Sequence, residues 1–139
     1  MAVNTVQLSF RTRGDAHMLD ITDVVSQTLK DSGLRAGIIT LFVPGSTAAL
    51  TTIEYEQGAL KDFRRLFDEL APEERDYAHN ARWGDGNGHS HVRAALLGPS
   101  LTVPFADGKL LLGTWQQIIL VDFDNRGRER AVVAQVIGE

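Results

Sequence analysis

The 139-residue sequence contains no cysteine. That excludes disulfides, thiolate zinc sites, iron–sulfur clusters and cysteine nucleophiles. A chain without bridges fits the cytoplasm. No apolar run approaches the roughly 20 residues of a membrane helix, so no membrane partner is expected. The opening MAVNTVQLSF lacks a basic segment followed by a long apolar core, so it does not read as a secretory signal. Gly-Lys-Ser/Thr is absent, which removes a P-loop, and so is the HExxH zinc pattern. Positive charge is in deficit, the net charge being −4. Phosphate-backbone and anionic-membrane binding need a positive surface. Nucleic acid is therefore not an expected partner, although a local pocket for one phosphate is compatible with this balance. Internal repeats, low-complexity stretches and linkers are missing as well.

What remains is an ordinary globular composition, 43% hydrophobic and 23% charged. At this length it predicts a single domain over residues 1–139 with a sizeable core. Val6, Leu8 and Phe10 alternate with polar residues, as in a half-buried strand. Ile21, Val24, Val25 and Leu29 recur at helical spacing, with Asp20 or Thr22 to cap the start and Gly33 the end. Ala36–Val43 reads as a buried central strand, and Ser46–Glu54 as a returning extended segment. Gln57–Leu70 is a helix whose buried face carries Leu60, Phe63, Phe67 and Leu70, with Pro72 stopping it. Residues 71–88 read as an ordered site loop, and residues 89–97 as a short helix. Strands follow at Leu101–Phe105, Leu110–Leu112, Trp115–Phe123 and Ala131–Ile137, and Asp107-Gly108 marks a tight hairpin. The order predicts an α+β fold with a mixed, mainly antiparallel sheet and two or three helices.

Chemistry concentrates in His79–Gly98, HNARWGDGNGHSHVRAALLG, which holds three of the four histidines. With Asp85 and Asn87 among them, His79, His89 and His91 supply metal ligands or acid/base groups. The alternative is a loop in which these side chains satisfy backbone groups. His89 and His91 point about 200° apart if both are helical, and converge only if the helix starts near His91. His17 stands alone in a turn and reads as a surface residue. Gly45-Ser46-Thr47 follows a buried strand, where small hydroxyl residues and free N–H groups suit an anion; an ordinary turn is the alternative. Glu54 serves equally as a base, as a partner to a histidine or as a charge at a helix N-terminus. Thr114, Trp115 and Gln116 offer polar contacts to a ligand or a neighbouring subunit, or else a core tryptophan with solvent-facing amides. Arg126, Arg128 and Arg130 read as a solvated charged turn, with a phosphate clamp the alternative.

Together these residues resemble the YjbQ family, often labelled secondary thiamine-phosphate synthases. The resemblance runs nearly end to end. It is carried by Ser100–Ile118 (SLTVPFADGKLLLGTWQQI), Tyr77-Ala78-His79-Asn80, Asn87-Gly88-His89-Ser90-His91 and Thr47-Ala48-Ala49 through Glu54. It implies an α+β subunit assembled as a homotrimer, with a histidine-lined cleft at or near a subunit interface. It also implies a thiamine-phosphate-synthase-like side activity, with another small phosphorylated molecule as the physiological substrate. Many members carry a histidine where this chain has Gly45, and it joins the equivalents of His79 and His91 in binding metal. Here His89 is the candidate replacement. The expected site therefore has His79, His91, Asp85 and Glu54 as catalytic groups. Ser46, Thr47, Asn87, Arg93, Thr114, Trp115 and Gln116 would contact substrate, and His79, His89 and His91 would hold a divalent metal, zinc or magnesium. A non-catalytic oligomeric protein that binds a metabolite or metal is the alternative function.

Overall fold

The computed structural model describes residues 1–139. In chain order the elements are β1 (Ala2–Arg11), β2 (His17–Asp20), α1 (Thr22–Ser32), β3 (Gly37–Phe42), β4 (Ala48–Ile53) and α2 (Gln57–Leu70). They continue with α3 (Ala78–Trp83), α4 (Gly88–Leu97), β5 (Ser100–Ala106), β6 (Lys109–Leu110), β7 (Gln117–Asp122) and β8 (Glu129–Gly138). Five strands form one sheet in the order β1-β8-β3-β5-β6, and three form a second in the order β2-β7-β4. Every ladder is antiparallel, so the expected α+β class holds, with two wholly antiparallel sheets rather than one mixed one.

The layers follow from which face of each strand is apolar. The inward residues Ile39, Leu41, Val103, Val132, Ala134 and Val136 of the large sheet pack on Leu50, Ile118 and Leu120 of the small one. Ile21, Val25 and Leu29 of α1 close this core. The opposite face of the small sheet presents Ala49, Ile119 and Val121 to Phe67 of α2 and Ala94 of α4. Strand β7 is thus covered on both faces, which is why Ile118 to Val121 is an unbroken apolar run. Phe67 sits edge-on between Phe63 and Phe123, at centroid distances of 5.0 and 4.7 Å.

Several sequence expectations need correction. The structure has four helices, because residues 78–83 of the presumed loop coil into α3. His17 begins a short strand, β2, paired with the end of β7. Strand β7 starts at Gln117, leaving Trp115 in the preceding turn with 73% of its surface exposed. Leu70 and Val24 lie on the exposed sides of their helices. No helix is long and apolar enough to cross a membrane.

Candidate functional site

Loop 84–87 hangs between two short helices that the sequence around it fixes. Gly84, at φ 64°, closes α3. Asn80 then reaches across, and its Oδ1 accepts the Gly88 N–H at 2.8 Å. A side chain at Gly88 would strike Tyr77 Cβ at 2.5 Å, so only glycine lets the start of α4 approach α3 this closely. Asp85 turns the loop by accepting the Asn87 N–H (3.1 Å). The Asn125 side chain donates to the Asp85 carbonyl (2.7 Å), and the Asn125 N–H donates to Asn87 Oδ1 (3.1 Å).

This scaffold brings His79 and His91 together, with ring centroids 4.3 Å apart and planes inclined by 43°. Asp85 Oδ1 lies 3.2 Å from His79 Nδ1, out of line for a hydrogen bond, so Nδ1 is a buried nitrogen with no hydrogen-bond partner. Both histidines are half-buried, and Asp85 is exposed. His79, His91 and Asp85 are therefore grouped as expected, whereas the Asn87 side chain turns to Asn125 and Asp124.

His89 does not join them. Helix α4 begins at Gly88, so His89 and His91 are both helical and point to opposite sides. His89 is buried beside Tyr77, with Nε2 3.4 Å from Ser90 Oγ. Burial, then the nearby Arg93 charge, pushes its pKa below the ordinary imidazole value. Arg93 is also buried. Its Nε donates to the Ala71 carbonyl (2.9 Å) and its Nη2 to Asp68 (3.2 Å), fastening α4 to the end of α2. No group of three histidine, aspartate or glutamate side chains is arranged to hold a metal ion. This chain therefore does not assemble the expected set of His79, His89 and His91 around one point, and no step below is routed through a metal.

Topology separates the remaining expected residues into two groups. Thr47 and Glu54 flank the six residues of β4, and seven extended residue-to-residue steps span about 23 Å. Gln116 donates to Thr52 (3.1 Å) at the far end, so Thr114, Trp115 and Gln116 stand beside Glu54, away from Thr47. Glu54 is exposed. It is Glu56 that caps α2, accepting the N–H groups of Gly58 (2.7 Å) and Ala59 (2.8 Å). Those two bonds lower the Glu56 pKa.

The near end holds what sequence reading set aside as a solvated turn. Asp122 and Asp124 are almost wholly buried, and Arg130 is 8% exposed. Arg130 grips Asp122 through Nε and Nη2, both at 2.8 Å. Its Nη2 also reaches Thr47 Oγ1. Thr47 donates to Asp124 (3.0 Å), as does Arg128 Nε (2.8 Å). Burial pushes the Asp124 pKa up, but hydrogen bonds from Thr47, Asn87 and Arg128 outweigh it and hold the carboxyl below its ordinary range. The signal was available in β8, where Arg130 follows the inward parity of Val132, Ala134 and Val136, with Asp122 at the end of an apolar strand. The histidine loop, Asn125, Asp124, Thr47 and Arg130 thus form one hydrogen-bonded sequence of contacts.

Residues 6–139 match the family model described as UPF0047 protein YjbQ-like. A UPF0047 protein of Methanothermobacter thermautotrophicus is 40% identical over 139 residues, covering 100% of this chain and 95% of that protein. One from Archaeoglobus fulgidus is 35% identical over 92% of this chain and 98% of its own. Among solved structures, a YbjQ-like protein of unknown function from Sulfolobus solfataricus aligns with TM-score 0.90 and 34% identity, over 99% of this chain and 100% of that one. A hypothetical protein from Aeropyrum pernix K1 aligns with TM-score 0.90 and 32% identity, over 98% and 99%.

Proposed function

The chain belongs to the YjbQ-like UPF0047 family, and on that premise we propose that it is an enzyme doing acid–base chemistry on a small phosphorylated metabolite. The observation that carries the reading is the His79–His91 pair, 4.3 Å between centroids, with Asp85 beside it on a half-buried rim. Imidazole exchanges protons near neutral pH. Two rings in contact allow one to take a proton from substrate while the other supplies one. Asp85 holds the loop by accepting the Asn87 N–H, which keeps its carboxylate beside His79.

The test is turnover of a panel of phosphorylated metabolites, including the pyrimidine diphosphate and thiazole phosphate pair of a thiamine-phosphate-synthase-like condensation. His91→Ala and His79→Ala should each lower turnover by about 10²–10⁴-fold while leaving thermal unfolding nearly unchanged. Full turnover in His91→Ala sinks the proposal. Saturable binding by the native protein with no turnover across the panel would instead identify a metabolite-binding protein.

Self-association belongs to the same reading. The outer face of the large sheet is uncharged along Thr5, Gln135, Thr40 and Thr102 and apolar at Val3, Ile38 and Phe42. An exposed face of that kind suits a subunit contact. Light scattering should return three times the 15.3 kDa chain mass; a monomer at micromolar concentration would refute the trimer.

A further inference from the structure

We infer that the Gly45-Ser46-Thr47 turn and the Arg130 guanidinium form the phosphate-holding part of this site, a cradle for one phosphomonoester group. The inference rests on the acid–base reading of the adjoining histidines but is tested separately from it.

The buried Arg130 spends Nε and Nη2 on Asp122 and Thr47. Its Nη1 makes no hydrogen bond and faces Gly45: a Cβ built on Gly45 would meet Nη1 at 3.1 Å and nothing else within 4 Å. The absence of a side chain at 45 is what leaves this N–H group open. Gly45 sits at φ +153°, a conformation that L side chains rarely adopt.

The turn itself is unspent. The N–H groups of Gly45, Ser46 and Thr47 have no main-chain acceptor, and the Ser46 hydroxyl is exposed. Thr47 is the telling case, because it is buried and a buried N–H calls for a partner. The Phe123 N–H donates to the Thr47 carbonyl (2.9 Å), as a continuing β4–β7 ladder requires. The return bond is missing, since the Phe123 carbonyl accepts Ser90 Oγ (2.5 Å) instead.

One turn thus presents a guanidinium N–H, three main-chain N–H groups and a hydroxyl, with no acceptor spent on them. Several donors at one turn suit an oxyanion with several oxygens. Arg128 and Arg130 are already balanced by Asp122 and Asp124. The cradle therefore recognises by hydrogen bonding rather than by surplus charge, and its affinity should depend only weakly on salt.

Inorganic phosphate is the probe, followed by amide chemical shifts of the native chain. Phosphate should move the Gly45, Ser46 and Thr47 signals and the Arg130 side-chain signal saturably, and chloride at equal ionic strength should not. Gly45→Asp places a carboxylate against Nη1 and should weaken binding on the order of tenfold or more. Ser46→Ala, at an exposed position, retains the fold and should weaken binding severalfold if Gly45→Asp does not fold. The double variant His79→Ala/His91→Ala should still bind phosphate, so failure of the acid–base reading leaves the cradle intact. Unmoved turn amides at millimolar phosphate, or native affinity in both Gly45→Asp and Ser46→Ala, would overturn it.

Discussion

Replacing Asp122 by alanine tests the reading of the buried charge network. Asp122 is fully buried and receives Arg130 through two 2.8 Å bonds, Thr12 through its hydroxyl and Asp124 through its N–H at 3.0 Å. The substitution strips a guanidinium with 9% side-chain exposure of its bidentate partner, leaving only Asp124 at 3.7 Å and the Thr47 hydroxyl. Removing one partner of a buried ion pair costs about 3–5 kcal/mol. A chain of this length gains about 0.3 kcal/mol per degree in unfolding entropy. The midpoint should therefore fall by roughly 10–17 °C in a calorimetric or fluorescence melt. Exposed pairs give the contrast: Asp62→Ala, which removes a partner of Arg65 on the surface of α2, should change stability by less than about 0.5 kcal/mol. Removing both buried charges with Asp122→Leu/Arg130→Met should recover much of the loss, because no charge is then stranded. A midpoint change under about 3 °C for Asp122→Ala would refute the assignment of Asp122 and Arg130 as a desolvated pair.

Two further outcomes follow from burial. His89 titrates below the ordinary imidazole value of about 6.5 in the folded chain. The unfolded chain therefore takes up its proton first, and the stability present above about pH 6.5 is lost as pH falls through the folded pKa. Urea unfolding of His89→Gln should show a shallower decline from about pH 7 to 5, with a residual slope of the same sign from His17, whose pKa burial also lowers; an unchanged slope would refute this. Phe67→Ala removes the ring between Phe63 and Phe123 and should cost about 3–5 kcal/mol, and a loss under about 1 kcal/mol in the same measurement would place the core elsewhere.

The sequence by itself determined the class, most elements and the clustering of the candidate residues. Apolar period and punctuation suffice for that, because Ile21, Val25 and Leu29 need a helix to share a face. Asp107 and Gly108, at φ 52° and 71°, close the predicted hairpin. The His79–His91–Asp85 grouping was legible because the three lie within thirteen residues of chain. Only the tertiary structure decided which histidines face one another. Starting α4 at Gly88 rather than near His91 turns His89 into the core. Long-range pairing likewise decided the partners of the arginines: the parity of β8 turns Arg130 inward, but only the tertiary structure sets Asp122 and Thr47 against it across a sheet boundary. The same pairing places Thr114, Trp115 and Gln116 at the opposite end of β4 from Thr47, a separation set by strand length that linear spacing does not show.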